Sequence, residues 1–123
     1  MLSKAIYNIL SSVSSNIYPG VGEQEINAPF IVHNKVRTGP TPDKDGASKN
    51  DFIFYRIACY AEDIQDVQTL ADSVRTALDE YEGVTGGIDI LRARFDNEEN
   101  GFDEESNFFF VMQTYRIMIR LIT

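Results

Sequence analysis

Asp96, Glu98, Asn100 and Gly101 stand at the first, third, fifth and sixth positions of a calcium-binding loop. The twelfth position, which must supply a bidentate Glu, is Asn107, and the flanks have the composition of strands where such a site needs helices. The run Asp96, Glu98, Glu99, Asp103, Glu104 and Glu105, without a basic residue, is therefore read as an acidic hairpin tip facing solvent or a partner. Asp43 and Asp45 beside Gly46 repeat the theme as an ordinary turn. Carboxylates on two such loops lack the fixed separation that paired acid–base chemistry requires. His33 and Cys59 are the only histidine and cysteine. A lone histidine builds no zinc site. A Cys–His nucleophile pair is formally open, but Cys59 shares a strand face with Ile53, Tyr55 and Ile57 and is read as a small buried hydrophobe. Gly83, Gly86 and Gly87 lack the Lys-Ser/Thr of a phosphate loop and adjoin the end of a helix, where the dipole repels anions. No catalytic set, metal or cofactor is expected.

Four arginines remain. Arg92 and Arg94 share one strand face, as do Arg116 and Arg120. If the two strands pair, the four form a patch beside the sheet. It is either an ordinary charged outer face or an intersubunit patch facing the acidic loop of a neighbour.

These groups need elements to hold them. A chain of 123 residues, 43% hydrophobic and 11% aromatic, builds one domain over 1–123 with a modest core. Its net charge of −8 argues against a nonspecific duplex-binding surface. One cysteine forms no internal disulfide and fits a reducing compartment. The N-terminus reads as an amphipathic helix and not a signal peptide. No apolar run approaches the ~20 residues of a membrane span, so no membrane partner is expected.

Leu2, Ile6, Ile9, Leu10 and Val13 mark a helix from about Ser3 to Ser12. Asn16 to Pro19 is a short extended piece, and Phe30 to Val36 a strand. Gly39 to Asn50 is a loop or the tip of a long hairpin. Phe52 to Tyr60 is apolar on both faces, which predicts a central strand with a helix on one side and a partner surface on the other. Asp63 caps a helix whose stripe is Ile64, Val67, Leu70, Ala71, Val74, Ala77, Leu78 and Tyr81, ended by the three glycines. Strands then run from Ile88 to Phe95 and from Phe108 to Ile122, the latter with one apolar face broken only by Gln113. The expected fold is α+β: a mostly antiparallel sheet of about four strands with two helices packed on one face, order α-β-β-α-β-β.

The N-terminal helix with Asn16-Ile17-Tyr18-Pro19, then Ala28-Pro29-Phe30-Ile31-Val32, forms the first part of a pattern. Tyr55-Arg56-Ile57-Ala58-Cys59-Tyr60-Ala61 follows, then Leu70 to Asp79, an acidic loop and the strand Tyr115-Arg116-Ile117-Met118-Ile119. In this order the chain resembles the tail-completion family of tailed bacteriophages, also called tail terminators or head-tail joining proteins. The resemblance implies a non-enzymatic virion protein, assembled in the bacterial host cytoplasm, that forms a homo-hexameric ring. The ring would cap the tail tube protein and join it to the head connector protein, with DNA passing without specific binding. A ring uses one side of each subunit against the other side of the next. Phe52, Phe54 and Tyr60 with Arg92, Arg94, Arg116 and Arg120 are the expected interface. Part of the Asp96 to Glu105 run, or Asp43 and Asp45, is expected to face the channel, where carboxylates repel phosphates. A head-side connector or other small adaptor domain is the alternative, and an enzyme would need a pocket of convergent polar groups.

Overall fold

The computed structural model describes residues 2–14, 16–19, 29–40, 50–105 and 107–121. In chain order they form α1 (Leu2–Leu10), β1 (Ile17–Pro19), β2 (Phe30–Pro40), β3 (Asn50–Ala61), α2 (Ile64–Leu78), β4 (Gly83–Thr85), β5 (Ile88–Asp103) and β6 (Phe108–Leu121). The fold is α+β as expected, but the sheet has six strands, ordered β1-β2-β3-β6-β5-β4, and not about four. Three-residue β1 and β4 are the added edges, too short to give a periodic signal. β1 pairs parallel to β2 and all other neighbours are antiparallel. Asp43 and Asp45 lie outside the described residues.

β3 is central, between β2 and β6, as its two apolar faces predict. Ile53, Tyr55, Ile57, Cys59 and Ala61 point to the inner face, opposite Ile117, Tyr115, Gln113, Val111 and Phe109 of β6. Both helices cover this face and complete one core with it. Each fully buried large side chain there contributes about 1.5–3 kcal/mol. α1 packs against β1 and β2 near one edge and against β4 at the other, so the sheet curls into a half-barrel.

The helix ends repay attention at two places. Asp63 accepts a hydrogen bond from the Gln65 amide at 2.7 Å, the predicted N-cap. Ile64, placed on the buried stripe by periodicity, is 51% exposed instead, in the first turn of the helix. α2 stops at Leu78, before the glycines credited with ending it. Glu80 takes the left-handed conformation (φ 64°). It is held there by its amide bonding to the Ala93 carbonyl at 2.7 Å, while Ala93 donates back to Tyr81. Gly86 and Gly87, at φ of +60° and +79°, form the two-residue turn between β4 and β5.

Two buried polar residues break the inner face. Gln113 spans three partners: it accepts from the Tyr115 hydroxyl at 2.6 Å and donates to the Ala71 carbonyl and to Glu98 Oε1, both at 3.0 Å. The residue that interrupts the apolar pattern of β6 thus ties α2 to β5 and β6. His33 lies 2.6 Å from the Tyr55 hydroxyl through Nδ1, while Nε2 has no partner among the described residues. Burial lowers the His33 pKa below 6.5. The folded state therefore holds the ring neutral while the unfolded chain protonates it near pH 6.5, so stability is lost as pH falls below that value. We expect the melting temperature of the wild type to drop more between pH 7 and pH 5 than that of His33→Gln. Parallel curves for the two would contradict this assignment.

Candidate assembly interface

The strand registers decide which side chains share the outer face. Phe52 faces Met118, Phe54 faces Arg116, and Tyr60 faces Phe110 across β3 and β6. Arg92 faces Met118, Arg94 faces Arg116, and Asp89 faces Arg120 across β5 and β6. All seven residues expected at the interface therefore lie on one surface, the side of the sheet that neither helix covers.

The chemistry of that surface differs from an open basic patch. Arg92 contacts Glu80 at 2.7 Å and Arg94 contacts the same carboxylate at 3.9 Å. Arg116 reaches Asp96 at 3.6 Å, and Arg120 reaches Asp89 at 2.7 Å. Hydrogen bonding to Glu80 raises the Arg92 pKa further. Exposed pairs of this kind add little stability. They do bring a strongly charged face close to neutrality, the state in which it can be covered by protein without stranding a charge.

Aromatic rings fill the remainder. Phe30 stacks on Tyr60 at 4.8 Å and meets Phe108 edge-on at 5.6 Å, and Tyr60 lies 6.3 Å from Phe110. The Arg37 guanidinium sits 4.2 Å above the Phe54 ring, with Arg116 at 5.8 Å. Gly101 leaves room for the Phe110 ring, since a Cβ there would stand 2.5 Å from it. Sequence reasoning named Phe52, Phe54 and Tyr60 but missed Phe30, Phe108 and Phe110. The alternation of β6 places Phe108 and Phe110 on one face and was the signal available. A second apolar feature, a groove of about 230 Å³ between Ile64 and Val67 of α2 and Phe102 and Phe109 of the β5–β6 hairpin, had no such signal.

The acidic run is mostly strand. β5 continues to Asp103, eight residues past Phe95 where its apolar pattern stops, because β6 supplies a partner along the whole length. Only Glu104, Glu105 and Asn107 among the described residues form the turn, with Asn107 in the left-handed region (φ 61°) and Asp103 accepting from the Glu105 amide at 3.1 Å. The twelfth position of the would-be calcium loop thus closes a hairpin. Among the described residues no group of three or more His, Cys, Asp or Glu side chains could hold a metal. Cys59 is fully buried and its thiol is pushed up to about 12, first by burial and then by Glu98; it is a core residue, as read from its strand face. Among the described residues no helix is long and apolar enough to cross a membrane.

Among the described residues the curled sheet thus has one face covered by helices and one aromatic face that no helix covers. The family model described as tail completion protein gp17 matches residues 3–120, and the chain belongs to that family. It is accordingly a non-enzymatic structural protein of the phage tail-to-head joint. Among solved structures, a chain of the virion of a native gene transfer agent particle shares the fold with a TM-score of 0.78 at 15% identity. That match covers 97% of this chain and 94% of the other. No curated protein matches the sequence.

Proposed function

We propose that this chain closes into a cyclic homo-hexameric ring that caps the completed tail tube and presents the surface on which the head connector docks. The observation that carries this reading is the outer sheet face, rich in buried and half-buried aromatic rings and neutralised arginines and covered by no helix among the described residues. Phe52, Phe54, Tyr60, Arg92, Arg94, Arg116 and Arg120 form part of the contact between subunits. Such a composition, aromatics with arginine and few unpaired charges, is that of the centre of a protein interface. The exposed carboxylates of Glu104 and Glu105 face the lumen, where with the net charge of −8 they repel passing DNA and hold none of it. Tail tube protein and head connector protein are the two further partners, and the ring is assembled in the host cytoplasm.

Native mass spectrometry over a concentration series tests this directly. A closed species of six subunits is expected, less populated at about 1 M salt than at about 0.1 M because exposed charges are screened. A stable monomer at every concentration would favour a head-side adaptor instead.

A further inference from the structure

Two stretches of strand edge are left without a partner strand among the described residues, and they lie at diagonal corners of the sheet. β1 covers β2 only at Ile31, Val32 and His33, so the outer edge of β2 is open from Asn34 to Pro40. β4 covers β5 at Ile88 to Ile90, and the segment after α2 reaches Ala93 and, through Asp79, the Phe95 amide. Beyond that the outer edge of β5 is open among the described residues from Asp96 to Phe102. The registers put Pro40 at the end of the sheet where Arg120 and Asp89 lie, and Asp103 at the end where Phe30 and Ala61 lie. An open edge presents unpaired amides and carbonyls to any strand that can reach it.

The two edges carry opposite charge. The β2 edge holds Lys35 and Arg37 and no carboxylate, whereas the β5 edge and its turn hold Asp96, Glu98, Glu99, Asp103, Glu104 and Glu105 and no basic residue. Each also exposes one large apolar side chain, Val36 at 44% and Phe102 at 46%. Pairing β2 with β2, or β5 with β5, would set like charges face to face. Pairing β2 with β5 sets them in attraction. Charge therefore disfavours a two-fold dimer and favours head-to-tail contact, the geometry that closes rings.

We propose that the β2 edge from Asn34 to Pro40 of one copy adds as an antiparallel strand to the β5 edge from Asp96 to Phe102 of the next. β2 and β5 run in opposite directions within the subunit, so neighbours of similar orientation meet antiparallel. This rests on the ring reading and specifies its joint: the sheet continues from one subunit into the next.

The test is a charge swap. One variant carries Lys35→Glu and Arg37→Glu, the other Asn97→Lys, Glu99→Lys, Glu104→Lys and Glu105→Lys, which leaves three carboxylates against four lysines on the β5 edge and its turn; all six side chains are exposed, and unchanged circular dichroism melts check that each folds. By native mass spectrometry each variant alone should lose its assembled fraction by about tenfold or more. An equimolar mixture should recover it as alternating species with equal numbers of each chain. Wild-type rings with both variants assembling equally well would overturn the edge pairing and leave the ring standing. A wild type that stays monomeric would overturn the ring reading, and this joint with it.

Discussion

Gln113→Ala lowers unfolding stability by about 3–4 kcal/mol, a loss of roughly 10 °C in melting temperature for a domain of this size. Two effects combine. The substitution opens a cavity in a fully buried site, and it takes from the Tyr115 hydroxyl its acceptor, Gln113 Oε1. The Ala71 carbonyl and Glu98 lose a donor as well. Gln113→Leu separates the terms because it keeps most of the volume, and should cost about 2 kcal/mol from the unpaired hydroxyl. Tyr115→Phe on that background removes the orphan and should restore part of the loss. Urea unfolding of the wild type, Gln113→Leu, Tyr115→Phe and the double variant gives a coupling energy, expected at about 1 kcal/mol or more. Additive losses would mean that the three groups do not act as one network.

Gly86→Ala costs about 2–3 kcal/mol, whereas Gly87→Ala costs about 1 kcal/mol. Both glycines have left-handed backbone, so the conformational penalty is shared. They differ in surroundings. A Cβ on Gly86 would stand 2.8 Å from the Ala5 backbone nitrogen, and the backbone of a helix cannot swing aside as a side-chain tip can. A Cβ on Gly87 meets nothing within 4 Å. The difference between the variants in urea unfolding measures how firmly α1 is seated against the far edge of the sheet. Equal losses would mean that α1 is not held there.

What the sequence made legible was local. The alternation of β3 placed Ile53, Tyr55, Ile57 and Cys59 inward and Phe52, Phe54 and Tyr60 outward because strand parity is a property of consecutive residues. Asp63 announced its helix for the same reason. What stayed hidden depends on residues far apart in the chain. Gly86 and Gly87 look alike whether they follow a helix or turn a hairpin, and only pairing with β5 decides. The stretch from Asp96 to Asp103 has poor strand propensity and is strand because β6 lies beside it. The four arginines could be grouped on faces, yet their partners Glu80, Asp89 and Asp96 emerge only from the register. The open edges, likewise, exist only once β1 and β4 are seen to be short.

Cryo-electron microscopy of this protein bound to purified tails tests the central claim most directly. The account predicts a closed ring of six copies at the head-proximal end of the tube, with the sheet running on from one subunit into the next. Single copies scattered along the tube, or a ring whose subunits leave their aromatic outer faces bare to solvent, would contradict it.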